Sequence, residues 1–121
     1  MKITKHFSKT EFQCACCGEQ KINLGLVIIL EDLRAHFNAP VYINSAYRCE
    51  KHNKAVGGAE NSQHVKGNAV DIVMRGVSPR HVYAYLEDAP YANLLGLGFY
   101  ATFTHVDLRG TKARWGEVNV G

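Results

Sequence analysis

Residues 69–74 read Ala69-Val70-Asp71-Ile72-Val73-Met74, an apolar run broken at its centre by one carboxylate. Its length and β-branched content suit a strand. Alternation along a strand puts Val70, Ile72 and Met74 on one face and Ala69, Asp71 and Val73 on the other. The apolar trio faces a core, so Asp71 points away from it. The chain must therefore build a sheet that is buried on one side and carries a carboxylate on the other.

The flanking segments supply partners for that strand. Asn23 can cap a helix running to about Phe37, in which Leu26, Ile29, Leu30, Leu33 and Phe37 recur at spacings of three and four to give one buried stripe. Pro40 stops it. Val41-Tyr42-Ile43-Asn44 alternates and reads as a strand. Earlier, Ser8-Lys9-Thr10-Glu11 has the form of a capping box that opens a short helical turn, and Cys14 to Lys21 reads as a polar loop. Ser78-Pro79 opens a second helix to about Glu87. The stretch from Leu95 to Leu108 reads as two strands joined by a turn near Ala101-Thr102. Between the first two strands lies Ser45 to Gln63, long, polar and broken by Gly57-Gly58. A loop of that length in a small protein is usually functional. This order predicts an α+β fold, a small antiparallel sheet with flanking helices. The chain of 121 residues suits one domain spanning residues 1–121.

Composition narrows the function classes. Hydrophobic residues make up 46% and charged ones 21%, as in ordinary globular proteins, with a net charge of +3. That excess favours a polyanionic partner such as a cell wall bearing phosphate or carboxylate. The basic residues are scattered and form no stripe of the kind that marks a nucleic-acid binder. The longest apolar run, Leu24 to Leu30, contains Gly25 and is far too short to cross a bilayer, so no membrane insertion is expected. No apolar signal segment follows Met1 to His6, which predicts a soluble product made in the cytoplasm.

The chemistry gathers around Ser62-Gln63-His64-Val65-Lys66-Gly67-Asn68-Ala69-Val70-Asp71. His64 closes the long loop, and Gly67 permits a tight turn that brings the imidazole toward Asp71. His105, in Thr104-His105-Val106-Asp107, lies on a strand whose Val106 and Leu108 take the opposite face. Two imidazoles and a carboxylate suit catalytic zinc, which keeps a fourth position for water or substrate. The same residues also fit a plain reading, with partly buried histidines and an Asp bonded to a nearby turn.

The blocks Ser45-Ala46-Tyr47-Arg48, Asn53 to Gly58, Ser62 to Asp71, Gly96-Leu97-Gly98-Phe99-Tyr100 and His105-Val106-Asp107-Leu108-Arg109 resemble the M15 peptidases. These are zinc D-Ala-D-Ala carboxypeptidases and related phage endolysins, which share a fold with the Hedgehog signalling domain. The resemblance runs from about His6 to Trp115, and its S-x-H-x-x-G-x-A-x-D core followed by a distant His is specific. It implies one zinc per chain held by His64, Asp71 and His105, and a peptidoglycan stem peptide as substrate. It also implies hydrolysis by a zinc-activated water, with Arg48 binding substrate or stabilising the oxyanion. Read from the residues alone, Arg48 would pair on the surface with a neighbour such as Glu50. Ser62 and Gln63 would bond substrate, orient His64 or support the loop.

One departure matters. The family places Glu, Asp or His two or three residues before its last zinc histidine, whereas this chain has Thr102 and Phe103 there. The nearest carboxylate is Asp107, on the face of His105 by the strand period, and it reads as the general base or as a residue that fixes a ligand. The other histidines, His6, His36, His52 and His81, carry no assigned role. Cys14, Cys16, Cys17 and Cys49 lack the paired C-x-x-C layout of a four-thiolate site and fit a second metal, a disulfide or packing thiols.

D-Ala-D-Ala carboxypeptidase action is the leading expectation. An L-alanyl-D-glutamate endopeptidase is the nearest rival, and a non-catalytic wall-binding or virion module the more distant one. A bare catalytic domain without signal or wall-binding module resembles a bacteriophage endolysin, monomeric and dependent on a holin for release.

Overall fold

The computed structural model describes residues 2–116. Helix α1 (Leu24–Phe37) begins where expected, because the Asn23 side chain accepts from the backbone N–H groups of Gly25 and Leu26. It ends at Asn38, which adopts the left-handed conformation that asparagine tolerates at a helix terminus. The short turn Lys9–Phe12 is a 3-10 helix, and the Glu11 carboxylate accepts from the Ser8 N–H at 2.8 Å.

Five strands follow: β1 (Val41–Ser45), β2 (Ala69–Met74), β3 (Gly96–Phe99), β4 (Thr104–Asp107) and β5 (Ala113–Gly116). They form one sheet in the order β1-β2-β4-β3-β5. The first four pair antiparallel, whereas β5 lies parallel to β3, so the sheet is mixed. β5 has no alternating apolar signal. The fold holds it in place through Arg114, which donates to the Ala92 and Leu95 carbonyls and pairs with Glu87.

The polar stretch between β1 and β2 is also more ordered than its composition suggests. It contains helix α2 (Glu50–Ala55), six residues without an apolar stripe, capped by Cys49. Helix α3 (Pro79–Glu87) starts after Ser78, whose side chain accepts from the His81 N–H.

The core lies on one side of the sheet. Leu26, Leu30 and Leu33 of α1 join Val70 and Ile72 of β2, Leu97 of β3, Val106 of β4, and Val82 and Leu86 of α3 in one continuous cluster. Burial of each such side chain contributes about 1.5–3 kcal/mol. At the edge of this layer, the Tyr85 and Tyr91 hydroxyls both donate to the Asp32 carboxylate, which ties the segment from α3 onward to α1. None of the described helices is long and apolar enough to cross a membrane.

The opposite face is set by register. Asp71 of β2 lies directly across from His105 of β4, and His105 lies across from Gly98 of β3. Cross-strand partners project to the same side. Packing therefore commits one face to leucine and valine and leaves the other to the polar residues.

Candidate metal centre

His64 reaches this face from the loop before β2. The Gly67 N–H donates to the His64 carbonyl, and Asn68 N–H to that of Gln63, which closes a tight turn. Gly67 sits at φ +76°, and a Cβ there would lie 2.5 Å from Lys21 Cβ, so both conformation and space favour glycine. The Ser62 hydroxyl accepts from the His64 N–H at 3.1 Å, and the Gln63 carboxamide oxygen accepts from Asn68. Both residues thus support the loop that presents His64.

The three side chains converge. Asp71 Oδ1 lies 3.3 Å from His64 Nε2 and 2.9 Å from His105 Nδ1. The candidate donor atoms all fall within 4.8 Å of one another. Each imidazole has its other nitrogen engaged with an acceptor. His64 Nδ1 is 2.7 Å from the Ala46 carbonyl oxygen, and His105 Nε2 is 2.7 Å from Asp107 Oδ2. A proton on each of those nitrogens leaves the lone pairs of His64 Nε2 and His105 Nδ1 directed at the Asp71 carboxylate. Two lone pairs and an anion facing one point are an arrangement that a cation satisfies. The donor set fits zinc, with three protein ligands and room for a fourth.

Electrostatics agree. Burial works against a charge on Asp71, but the His105 and His64 side chains beside it outweigh burial and hold the carboxyl well below its usual range. For Asp107 burial is again opposed, here by Arg109 and His105, and its carboxyl is likewise pulled down. The Asp107 side chain is fully buried, and Arg109 donates to both of its oxygens at 2.8 Å. A Cβ at Gly96 would lie 2.5 Å from that carboxylate, so a glycine on β3 leaves the space this cluster occupies.

Arg48 points inward. Its Nε donates to the Ser45 hydroxyl at 3.2 Å, its Nη1 to Asn53 Oδ1 at 3.3 Å, and its Nη2 lies 3.6 Å from Asp71 Oδ2. Asn53 is buried and also donates to the Ala59 carbonyl, which fixes the loop around the guanidinium. Beside the donors lies a cleft of about 250 Å³, walled by Ser62, Gln63, His105, Arg109 and Trp115. A larger depression on the outer side of the loop, against Glu50, Lys54 and Glu60, is lined by none of the three donors. Thr102 lies in the turn between β3 and β4, and Phe103 stacks on Tyr100.

The model of the Peptidase M15 family matches residues 5–107. The chain belongs to the M15 peptidases. As an M15 peptidase it is a zinc-dependent metallopeptidase, and its described residues include a His–Asp–His group able to hold the ion. A search of individually curated proteins gives no match.

Three residues of this M15 site had no assigned role at the sequence level. Arg109 was within reach of the strand period, since it follows His105 and Asp107 at steps of two. Asn53 gave no signal beyond its place in the long loop. Trp115 approaches His105 at 5.1 Å between ring centroids and hydrogen-bonds the Tyr100 hydroxyl, but it does so from β5, whose pairing with β3 is long-range.

Proposed function

We propose that this M15 peptidase hydrolyses peptidoglycan stem peptides, acting as a D-Ala-D-Ala carboxypeptidase at a zinc held by His64, Asp71 and His105. The observation that carries the reading is the convergence of those three donors beside the Arg48 guanidinium, with His105 also lining a small cleft. His64, Asp71 and His105 would hold the zinc, which would supply Lewis acidity toward a scissile carbonyl and lower the pKa of water toward about 7.

The chain's own residues supply the rest. Arg48 offers a permanently charged, planar fork to the oxygen on which negative charge develops, a contact typically worth about 3–4 kcal/mol in the barrier. Asn53 and Ser45 hold that fork in place. Asp107, of its two expected roles, takes the orienting one, because its side chain is buried and already accepts from His105 and Arg109. It fixes the ring of His105 so that Nδ1 faces the metal position. Ser62 and Gln63 position His64 and line the cleft where the peptide lies.

The protein would act as a monomer on the wall after release from the cytoplasm by a holin-type route, in the manner of a phage endolysin. Its charge of +3 assists contact with an anionic wall. Purified sacculi containing pentapeptide stems, digested with zinc present, should release free D-alanine detectable by mass spectrometry. New amino termini at D-glutamate would transfer the activity to the endopeptidase, and intact stems would defeat the peptidase reading of the site.

A further inference from the structure

Four thiols meet away from the His–Asp–His centre. Cys14, Cys16 and Cys17 come from the hairpin before α1, and Cys49 comes from the start of α2. All four are free, and their sulfurs lie within 4.8 Å of one another. Cys49 Sγ stands 3.7 Å from that of Cys14 and 3.4 Å from that of Cys16, although 35 residues separate Cys14 from Cys49 along the chain. Bonded sulfurs would be about 2.05 Å apart. A tetrahedral zinc with sulfurs at about 2.3 Å spaces those sulfurs about 3.8 Å apart. The separations of 3.7 and 3.4 Å lie near the second geometry and far from the first.

The backbone around the sulfurs is arranged in the same sense. Cys49 N–H points at Cys14 Sγ and His52 N–H at Cys49 Sγ, each at 3.4 Å, which places donors where thiolate charge would need them. In the hairpin, Cys14 N–H donates to the Glu19 carbonyl and Gly18 N–H to that of Cys14, with Gly18 at φ +74°. This Cys-x-x-Cys-Gly turn curls its sulfurs inward. Packing alone does not account for the cluster, because Cys16 and Cys17 are exposed.

We propose that Cys14, Cys16, Cys17 and Cys49 form a tetrathiolate zinc site, structural and distinct from the His64–Asp71–His105 centre. The four ligands close the coordination shell, so no position remains for water or substrate. Each thiol gives its proton to solvent as it ligates. The site fastens the amino-terminal hairpin to the first turn of the long loop, one residue from Arg48. Arg48 in turn donates its backbone N–H to the His64 carbonyl, so the staple braces both Arg48 and the loop that presents His64. The assignment is independent of which peptide bond is cut, and it raises the zinc content from one to two per chain.

The full chain, purified under reducing conditions and stripped of metal, is titrated with Co²⁺ and then with Zn²⁺. Thiolate ligation should produce a sulfur-to-cobalt charge-transfer band in the near ultraviolet, which a site of two imidazoles and a carboxylate cannot give. Zinc should displace the band and protect all four thiols from a thiol-specific reagent. Elemental analysis should find two zinc per chain, and one in the double variant His64→Ala/His105→Ala. The band should be lost in Cys16→Ser/Cys17→Ser, a change at exposed positions. Absence of the band in the wild-type chain, or four thiols that react freely with zinc present, would overturn the proposal. So would disulfides found by alkylation and mass spectrometry of freshly lysed cells. Because the spectrum is read on the wild-type chain, misfolding of a variant does not blur the result.

Discussion

Two devices place His64, Asp71 and His105, a glycine turn for the first and cross-strand register for the other two. Replacing any one with alanine removes one of three donors, so His64→Ala, Asp71→Ala and His105→Ala should each lose one equivalent of zinc by elemental analysis. Unchanged zinc in all three would discard the assignment. Arg48 presents a different case, since its charge and its shape separate. Arg48→Lys keeps the charge but loses the fork that spans Ser45 and Asn53. Turnover should fall by about 10²-fold or more with zinc content unchanged, and near wild-type turnover would return Arg48 to a supporting role. For Asp107, the buried pairing with His105 and Arg109 predicts a metal-affinity effect. Asp107→Asn should weaken zinc binding by about 10–100-fold, with activity recovered by added zinc. A rate that stays low at saturating zinc would instead make Asp107 the proton carrier.

Among the elements, α1 holds the structure together through two adjacent carboxylates facing different partners. Asp32 accepts from Tyr85 and Tyr91, while Glu31 accepts from the Thr4 hydroxyl at 2.6 Å and from the His6 backbone N–H at 2.9 Å. The His6 ring also pairs with it at 2.6 Å. Burial opposes the Glu31 charge, but these bonds prevail and lower its carboxyl below the ordinary value of 4.5. A depressed folded-state pKa contributes stability that is present above the unfolded value and lost as pH falls through the folded one. Glu31→Gln should therefore cost about 1 kcal/mol in urea denaturation at neutral pH. The gap between the two proteins should close as pH drops below 4.5. An equal gap at neutral and strongly acidic pH would mean that shape, not charge, secures the amino-terminal segment.

Taken as a whole, the molecule separates its two faces by chemistry, with an apolar core on one side of the sheet and a charged cluster of carboxylates, imidazoles and guanidiniums on the other. Metal that binds the folded chain and not the unfolded one adds stability of about 4 kcal/mol at a thousandfold excess over its dissociation constant. Chelation should therefore lower Tm by about 10 °C or more in calorimetry, and re-addition of zinc should restore it. A Tm insensitive to chelator would show that the cluster is stable without the ion.

How much of this was legible beforehand follows from the range of the interactions. Helix α1 and strand β2 could be read at once, because Asn23, the Leu26–Leu33 stripe and the alternation around Asp71 are local and periodic. The short motif around His64 and Asp71 and the patterned strand of His105 made the His–Asp–His set a candidate that a plain reading also fitted, and the resemblance to the M15 peptidases implied its metal role. Helix α2 and strand β5 were not, since neither Glu50–Ala55 nor Ala113–Gly116 has an apolar period, and both are held by contacts from distant residues. The pairing of Asp107 with Arg109, the inward turn of Arg48 onto Asn53, and the meeting of Cys49 with the cysteines of the hairpin were likewise decided by tertiary structure. Sequence by itself determined which residues could carry charge, ligate metal or fill a core. Which of them meet depended on strand register and loop closure, because side chains far apart in the chain come within reach only when the backbone between them is fixed.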